Sequence, residues 1–359
     1  MEPVEAIVLV GGQGTRLRPM TISAPKPLLP AAGVPFLAHQ LARAAASGVV
    51  HAVLATSYRA DMFEAVLGDG SAFGLELDYV MEDDPLGTGG GIRNAASRLA
   101  CGPDDPVLVL NGDVLSGHDI AAQLDLHRAA DAVVTLHLVE VDDPTRFGCV
   151  PTDDTGRVTA FLEKTSTPVT NRINAGCYVF KRETIDGIPA GRVVSVEREI
   201  FPGLIAAGEP VLGYPDTAYW LDVGTPEAFV RASCDLVLGL VPSPAMPGPC
   251  GDALVLPGAV VDPAADLSAG TVIGAGSVIA PAARVRGSVL LDEVEVAPGA
   301  SVEGCILGRG VRIGDGAVLD GAFIGEGAVI GAGNELRHGI RIWPHVQLEP
   351  RTVRFSTDA

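Results

Sequence analysis

Lysine is almost missing from this chain of 359 residues, which carries 22 arginines but lysines only at positions 26, 164 and 181. A composition that uses arginine so consistently makes each remaining lysine a candidate for a role that needs a compact ammonium group. Lys26 is notable among the three because it follows a glycine-rich loop and two arginines.

The sequence also lacks the patterns of several other protein classes. Its six cysteines form no CxxC pair and its seven histidines form no HxxxH or HExxH pair, so neither a disulfide framework nor a zinc site is expected. Isolated thiols are typical of a reducing cytoplasm. No apolar run reaches the ~18 residues of a membrane span, and the acidic start of the chain does not resemble a signal peptide.

Positive charge is scarce overall, and the formal net charge is -19. Most of such a surface repels phosphate backbones and anionic lipids, so neither nucleic acid nor a membrane is expected as a partner. An anionic ligand would need a local basic site or a bridging metal ion.

The first two thirds of the sequence alternate between strand and helix patterns. This alternation predicts βαβ units and a Rossmann-like α/β fold, with a mixed, mostly parallel sheet and flanking helices. Ligands of such sheets bind beyond the carboxyl ends of the strands, so the loops after Val10, Met81 and Leu110 are expected to converge. The patterns predict strands at residues 7–10, 51–56, 75–81, 107–110, 132–139 and 173–180, and helices at residues 35–47, 60–67, 92–99, 120–130 and 226–240.

The loop after the first strand, GGQGTRLRP, has the composition of a phosphate-binding segment. Glycines let backbone N–H groups approach phosphate oxygens, and Arg16, Arg18 and Lys26 can supply cations to the same anion. The loop lacks the third glycine of GxGxxG and the GK[ST] of a P-loop, which excludes both common nucleotide motifs in their usual form. A tight turn with solvated charges is the structural alternative.

Two aspartates stand where strand patterns end. Asp113 follows the strand at 107–110, and Asp222 lies between apolar neighbours just before a helix that begins with Pro226. Carboxylate oxygens at the end of a buried strand are hard ligands that can hold a divalent cation. Each aspartate has an alternative role as a helix cap, and the residues alone leave both roles open.

Several short motifs then occur in one order along the chain: GGQGTRLRPMT, PKPLLP, LGTGG, LNGD, FLEK, INAGCYVF and YWLDVGTPE. Together they resemble the sugar nucleotidyltransferase family, whose members join a nucleoside triphosphate to a sugar 1-phosphate and release pyrophosphate. The resemblance extends from residue 5 to about residue 235. Ser57-Tyr58, INAG and the spacing to WLDVGTP most resemble the branch that uses GTP and mannose 1-phosphate, although thymidylyl- and uridylyltransferases share most of the motifs.

The resemblance implies a role for each matching residue. It implies Mg²⁺ as the cofactor, held by Asp113 and Asp222, with Arg16 and Lys26 as further catalytic residues. The residues implied to bind the nucleotide are Gly11, Gly12, Gly14, Thr15, Arg16, Lys26, Glu82, Gly87, Thr88 and Asn111. Those implied to bind the sugar phosphate are Gly148, Glu163, Lys164, Asn174 and Gly176. Family members usually have a proline directly after the lysine that corresponds to Lys164. Thr165 occupies that position in this chain, and the difference affects the expected rigidity of the loop rather than the role of Lys164.

A proline-rich linker at 241–252 separates a predicted nucleotidyltransferase domain at 1–240 from a repeat domain at 253–359. In the repeat, aliphatic residues recur every six positions, with small residues four positions after many of them. This period predicts a hexapeptide solenoid, which resembles a left-handed parallel β-helix. The aliphatic positions are Val255, Val261, Leu267, Ile273, Ile279, Val285, Leu291, Val296, Val302, Leu307, Ile313, Leu319, Ile324, Ile330, Leu336 and Ile342.

The repeat domain leaves other functions open. Hexapeptide solenoids also form the body of acyltransferases, which usually need a catalytic histidine, and only His338 and His345 lie in the repeat. A regulatory homologue that binds a sugar nucleotide without turnover is a further alternative, although such a protein would have no need to retain Arg16, Lys26, Asp113 and Asp222. We expect the repeat domain to mediate formation of a homo-oligomer.

Overall fold

The computed structural model describes residues 3–57, 59–82, 84–162, 164, 166–248 and 251–354. The chain forms two compact units, which are described in turn. The first unit comprises Met1–Gly12 and Gln40–Trp220, and the second comprises Gln13–His39 and Leu221–Ala359. The domain boundaries at residues 240 and 253 remain a prediction.

A seven-stranded sheet forms the centre of the first unit in the described part of the chain. The strands up to residue 222 are β1 (Val4–Leu9), β2 (Pro30–Ala31), β3 (Val34–Pro35), β4 (Val49–Thr56), β5 (Glu76–Met81), β6 (Pro106–Asn111), β7 (Val114–Ser116), β8 (Val134–Glu140), β9 (Arg172–Lys181), β10 (Val211–Asp216) and β11 (Trp220–Asp222). The order in the sheet is β10-β8-β9-β6-β1-β4-β5. β9 runs antiparallel to β6 and β8, and the other neighbours are parallel. The predicted Rossmann-like, mostly parallel sheet is confirmed.

The interior of this sheet is aliphatic because helices cover parallel strands on both faces. Ile7 of β1, Val53 of β4 and Val109 of β6 are fully buried in one core cluster. Tyr178 and Phe180 of β9 add aromatic bulk to the same cluster. The central strands therefore hold their carboxyl ends on a rigid platform, from which the loops with the motifs emerge.

Five of the described helices match predicted ones, one of them with a different start, and two short helices, at residues 182–186 and 201–206, were not predicted. They are α1 (Phe36–Ala46), α2 (Ala60–Leu67), α3 (Gly87–Ala95), α4 (Ile120–Ala129), α5 (Arg182–Asp186), α6 (Phe201–Ala206) and α7 (Pro226–Val237). The prediction that α3 begins at residue 92 is wrong, because the glycine-rich segment forms its first turns. A Cβ at Gly87 or Gly90 would lie only 2.7 Å and 2.5 Å from the carbonyl oxygens of Val194 and Arg192. Packing against that backbone outweighs the low helix propensity of glycine. None of the described helices combines the length and apolar character needed to span a bilayer.

The second unit contains three ladders of short parallel strands. These strands are β12 (Ala253–Val255), β13 (Val260–Val261), β14 (Asp266–Ser268), β15 (Thr271–Ile273), β16 (Val278–Ile279), β17 (Arg284–Arg286), β18 (Val289–Leu290), β19 (Glu295–Val296), β20 (Ser301–Glu303), β21 (Ile306–Leu307), β22 (Arg312–Ile313), β23 (Val318–Asp320), β24 (Phe323–Ile324), β25 (Val329–Ile330), β26 (Glu335–Arg337), β27 (Arg341–Ile342) and β28 (Gln347–Leu348). The sheets run β12-β15-β18-β21-β24-β27, β13-β16-β19-β22-β25-β28 and β14-β17-β20-β23-β26. This arrangement is consistent with the predicted left-handed parallel β-helix.

The repeat register differs from the prediction at one position. Leu290 is aligned with Ile273 and is fully buried inside the solenoid, whereas Leu291 is only partly buried and lies outside that row. The one-residue slip falls at the preceding corner, where Gly287 adopts a φ of 50°. A count in steps of six from Val285 reaches Leu291. It cannot detect the slip, because Leu290 and Leu291 are both aliphatic and either satisfies the pattern.

A stacked pair of buried histidines lies in the first unit. The rings of His118 and His137 have centroids 3.8 Å apart. Neither ring nitrogen of His137 has a hydrogen-bond partner among the described residues, and its Nε2 is 3.9 Å from a carboxylate oxygen of Asp216. Burial, reinforced by the charge of Arg43, lowers the pKa of His118 to about 4. Burial and the neighbouring His118 and Arg43 lower the pKa of His137 to about 2.

Acid is therefore expected to destabilise the fold. Below about pH 6.5 an unfolded chain protonates these two histidines while the folded protein does not, so the free energy of unfolding should decrease by about 1.4 kcal/mol per pH unit for each. His137→Phe preserves the ring packing and removes one of the two histidines. The free energy of unfolding should therefore depend less on pH, by about 1.4 kcal/mol per pH unit. Urea unfolding between about pH 8 and pH 5 measures the slope. Tyr214→Phe, which changes the same cluster without removing an imidazole, should retain the wild-type slope. An equal slope in His137→Phe would contradict the assignment.

Candidate active site

The loops that follow β1, β5 and β6 leave the same edge of the sheet in the first unit, as the sequence predicts. The backbone N–H of Gly112 donates to the carbonyl of Leu9 at 2.9 Å, which places the LNGD loop directly beside the glycine loop. The N–H of Glu82 donates to the carbonyl of Thr56 at 2.8 Å at the end of the neighbouring strand. A Cβ at residue 112 would lie 2.5 Å from a methyl group of Val10, so this close approach requires glycine.

Gly11 and Gly12 present exposed backbone at this edge. A Cβ at residue 11 would lie 3.0 Å from the hydroxyl of Ser57, which donates a hydrogen bond to the Gly11 carbonyl. Nothing lies within 4 Å of a Cβ at residue 12. Open space beside bare backbone is what a phosphate-binding loop needs, and the structural reason for glycine is stronger at residue 11 than at residue 12.

Asp113 lies in the two-residue turn between β6 and β7 and is half-buried. Its alternative role as the cap of the next helix is wrong, because Asp119 caps α4 by accepting a hydrogen bond from the N–H of Ala122 at 3.0 Å. A carboxylate held at a rigid strand end by a sheet, and not used as the helix cap, is a good candidate for cation binding.

Asn111, Asn174 and Gly176 lie together because β6 and β9 are adjacent. A Cβ on Gly176, whose φ is 76°, would lie 2.9 Å from the amide nitrogen of Asn111. Asn174 donates to the hydroxyl of Tyr178 at 2.8 Å and accepts from the N–H of Gly176 at 3.1 Å. Burial raises the pKa of Tyr178, so its hydroxyl stays protonated. These contacts fix the orientation of Asn174, and the side-chain oxygen Oδ1 of Asn111 is buried without a hydrogen-bond partner among the described residues.

The residues expected around the nucleoside are held by a segment that the sequence did not implicate. Glu82 accepts a hydrogen bond from the N–H of Leu86 at 3.1 Å, which orders the approach to α3. Thr88 donates to Glu197 at 2.8 Å and accepts from the N–H of Val196 at 3.0 Å. The Thr88 side chain thus fastens the 194–197 segment to the start of α3. No sequence signal connected Glu197 to the LGTGG motif, because the two are far apart in the chain.

On the side where the sugar phosphate is expected to bind, Cys149 and Leu162 form an isolated antiparallel β-bridge that joins two loops. Gly148, with a φ of 80°, and the exposed Lys164 lie close to either end of this bridge in sequence. Glu163 lies outside the described residues. Trp220 donates from Nε1 to the carbonyl of Ala175 at 2.9 Å and so supports the backbone next to Asn174. In the sequence, Trp220 is notable only because it lies two residues before Asp222.

In the second unit, Gly14 folds the phosphate segment back on itself. It has a φ of 60° and precedes a short 3-10 turn, Thr15–Leu17. Thr21 donates to the carbonyl of Gly14 at 2.8 Å. A Cβ at residue 14 would lie 3.2 Å from the Cβ of Lys26, a residue that is only 7% exposed. Glycine thus allows the loop and Lys26 to pack closely.

Arg16 lies across a glycine of the DVGTP motif in the same unit. A Cβ at Gly224 would lie 3.0 Å to 3.2 Å from three atoms of the Arg16 guanidinium. Asp222 is half-buried, and it is not the cap of α7, because Thr225 accepts the capping hydrogen bond from Ala228 at 3.2 Å. Gly224 was part of a recognised motif, but only the folded structure reveals that it accommodates Arg16.

The chain is similar to known proteins over most of its length. Residues 5–237 match the family model described as Nucleotidyl transferase, and residues 250–355 match the model described as GMPPB C-terminal domain. The chain is 59% identical over 356 residues to a mannose-1-phosphate guanylyltransferase of Mycobacterium tuberculosis, with 99% of this chain and 98% of that protein covered. It is 36% identical over 262 residues to the mannose-1-phosphate guanylyltransferase catalytic subunit beta of Drosophila pseudoobscura pseudoobscura, covering 71% of this chain and 70% of that one.

Solved structures share the fold over about two thirds of the chain. HddC from Yersinia pseudotuberculosis superimposes with a TM-score of 0.55 at 29% identity, over 64% of this chain and 98% of HddC. Its complex with GMP-PN superimposes with a TM-score of 0.54 at 28% identity, over the same shares of the two chains. Because the first family model spans more than half of the sequence and includes the described motifs, the chain belongs to the nucleotidyl transferase family.

Proposed function

We propose that this protein transfers a guanylyl group from GTP to mannose 1-phosphate, forming GDP-mannose and pyrophosphate. The observation that carries the proposal is the 59% identity, over 99% of the chain, to the mannose-1-phosphate guanylyltransferase of Mycobacterium tuberculosis. The glycine loop, the LNGD loop and the INAG strand lie at one edge of a single sheet, which supports this proposal.

The reaction needs positioning and charge neutralisation more than proton transfer. A phosphate oxygen of mannose 1-phosphate is ionised at neutral pH, so it can attack the α-phosphorus of GTP without a general base. A bond forms between these two atoms, and the bond from the α-phosphorus to the bridging oxygen breaks as pyrophosphate leaves. Backbone N–H groups of the glycine loop, together with Arg16 and Lys26, are proposed to stabilise the developing negative charge.

A magnesium ion fits the donor chemistry of the two aspartates. Mg²⁺ prefers oxygen ligands and is usually held by one or two carboxylates together with water and substrate phosphates. In the described part of the chain no group of three or more His, Cys, Asp or Glu side chains could form an all-protein cage, which suits that open mode. We propose Asp113 and Asp222 as its ligands. When bound, Mg²⁺ would neutralise phosphate charge.

The sugar phosphate is proposed to bind through residues at the other side of β6. Asn174, oriented by Tyr178, and the backbone of Gly176 would meet the sugar hydroxyls, with Glu163 as a further partner. Lys164 is exposed and could bind the phosphate of the sugar, next to Gly148. The remaining proposed contacts are those of the nucleotide with the glycine loop, Glu82, Gly87, Thr88 and Asn111.

A pyrophosphate-release screen tests the proposal. Each common nucleoside triphosphate would be combined with the 1-phosphates of mannose, glucose and N-acetylglucosamine, and GTP with mannose 1-phosphate should react fastest. Preference for dTTP or UTP with glucose 1-phosphate would instead assign the protein to the thymidylyl- or uridylyltransferases. Binding of GDP-mannose without turnover of any pair would indicate a regulatory homologue, and turnover of acyl-CoA alone would indicate an acyltransferase.

Gly224→Ala tests whether the DVGTP glycine positions Arg16. The added methyl group would displace the guanidinium, so kcat/KM for GTP should fall by roughly tenfold, the effect of losing one hydrogen bond to a charged group. The melting temperature should stay within a few degrees of wild type. Gly203→Ala is the matched control, because nothing lies within 4 Å of a Cβ at that helical position. Equal kinetics in both variants would refute the positioning role.

We also propose that the protein acts in a reducing cytoplasm as a homo-oligomer. All five described cysteines are free thiols, and four of them are buried. Val260 and Val278 are paired neighbours on an outer face of the β-helix, and they are 62% and 44% exposed. Exposed valines in register are suited to contact a second copy. Replacement of both by Glu should shift the sedimentation coefficient toward that of a monomer, and an unchanged coefficient would count against this interface.

A further inference from the structure

One outer face of the β-helix is apolar and buried, except at its last position. Parallel pairing aligns the outward residues of β12, β15, β18, β21, β24 and β27 in one row. The row consists of Leu254, Val272, Val289, Ile306, Phe323 and Arg341. The first five are at most 7% exposed although they lie outside the core cluster of the solenoid. Helix α7 contacts β15 and β18, so this face has a partner within the same unit.

The sixth residue of the row reaches the phosphate segment. Arg341 donates from Nη1 to the backbone carbonyl of Arg18 at 2.9 Å. Arg18 also closes the short turn that carries Arg16, because its N–H donates to the carbonyl of Thr15 at 3.3 Å. The apolar row therefore ends in a cation that holds the backbone two residues beyond Arg16.

The other end of the phosphate segment is attached to the same part of the chain. The N–H of Ala32 donates to the hydroxyl of Ser233 in α7 at 2.8 Å. A Cβ at Gly33 would lie 2.9 Å from the side chain of Leu256, next to the first strand of the β-helix. Of these three anchors, the one made by Arg341 is nearest in sequence to Arg16, and it comes from the other end of the solenoid.

We infer that Arg341 is a positioning residue for nucleotidyl transfer. It holds the carbonyl of Arg18, so that the turn Thr15–Leu17 presents Arg16 to the triphosphate. The terminal coils of the β-helix thus contribute to the reaction within one subunit. This inference rests on the proposed function, which assigns the glycine loop and Arg16 to the triphosphate.

Two substitutions in the full-length protein distinguish the effect of losing the hydrogen-bond donor of Arg341 from the effect of losing side-chain bulk. Arg341→Met retains an extended apolar stem without a donor, and Arg341→Lys retains one cationic donor. Arg341→Met should lower kcat/KM for GTP on the order of tenfold, with KM for mannose 1-phosphate unchanged, and Arg341→Lys should recover part of the loss. Arg312→Met is the matched control. Arg312 lies on another sheet of the solenoid and pairs with Glu295 at 3.5 Å, so its loss should leave the kinetics unchanged.

Hydrogen exchange tests the anchor without requiring turnover. The amides of Leu17, Arg18 and Ile22 are hydrogen-bonded within the segment, and they should exchange faster in Arg341→Met while the melting temperature stays at the wild-type value. Wild-type exchange at these amides, or wild-type kcat/KM for GTP, would overturn the inference. An equal loss in Arg312→Met would also overturn it. Failure of the wild-type protein to turn over GTP would instead reject the proposed function.

Discussion

Asp113→Ala is expected to lower the transfer rate by at least about 10³-fold while leaving the fold intact. Removing one preorganised electrostatic group typically costs 10² to 10³ in rate, and loss of a metal ligand removes several interactions together. The side chain follows a strand end and is only half-buried, and it does not cap a helix, so its removal creates no large cavity. Steady-state pyrophosphate release, measured over a range of Mg²⁺ concentrations, gives the effect on rate and on metal dependence.

Asp119→Ala provides the reciprocal control. This aspartate caps α4, so its loss should destabilise the protein by about 1 kcal/mol and leave kcat unchanged. The two neighbouring aspartates would then separate catalysis from stability. Near-wild-type activity of Asp113→Ala would reject the metal assignment, and a large loss of activity in Asp119→Ala would point to general sensitivity of this loop.

Lys26→Met is expected to lower kcat by about 10² to 10³-fold, the effect of removing one charge that stabilises the departing pyrophosphate. Lys26 is only 7% exposed, and its stem packs beside Gly14. Methionine preserves most of this packing, so the melting temperature should change little. By microscopic reversibility, formation of GTP from GDP-mannose and pyrophosphate should slow in proportion.

Lys181→Met is the matched control for the lysine prediction. Lys181 pairs with Asp131 at 2.7 Å at the surface of the first unit. Its replacement removes an ammonium group from the same lysine-poor chain and should leave both directions of the reaction at wild-type rates. Wild-type kcat in Lys26→Met would remove this residue from the proposed charge-stabilising set.

Local sequence patterns were sufficient for the fold class. Buried parallel strands require continuous aliphatic runs, as in β1 and β6, and the alternation of these runs with helices predicted the sheet. The hexapeptide period predicted the solenoid because each coil must place an aliphatic residue inside. Its register failed only at Leu291, where two adjacent leucines made the inward residue ambiguous.

Local patterns could not assign roles that depend on distant residues. The start of α3 at Gly87 depends on backbone around Val194, about a hundred positions away. Thr88 fits the expected nucleoside site by motif, yet its hydroxyl contacts Glu197. The cap of α4 is a local feature by contrast: Asp119 directly precedes the predicted helix at 120–130, whereas the strand β7 separates Asp113 from it.

The sequence by itself determined the α/β sheet, the β-helix and the family, because repeating aliphatic periods and short motifs are local properties of the chain. Only the tertiary structure decided how the phosphate segment is held. Gln13–His39 belongs to the same compact unit as α7 and the β-helix, although residue 18 and residue 341 are far apart in sequence. The hydrogen bond between them, and the fit of Arg16 over Gly224, exist only because packing brings distant parts of the chain together.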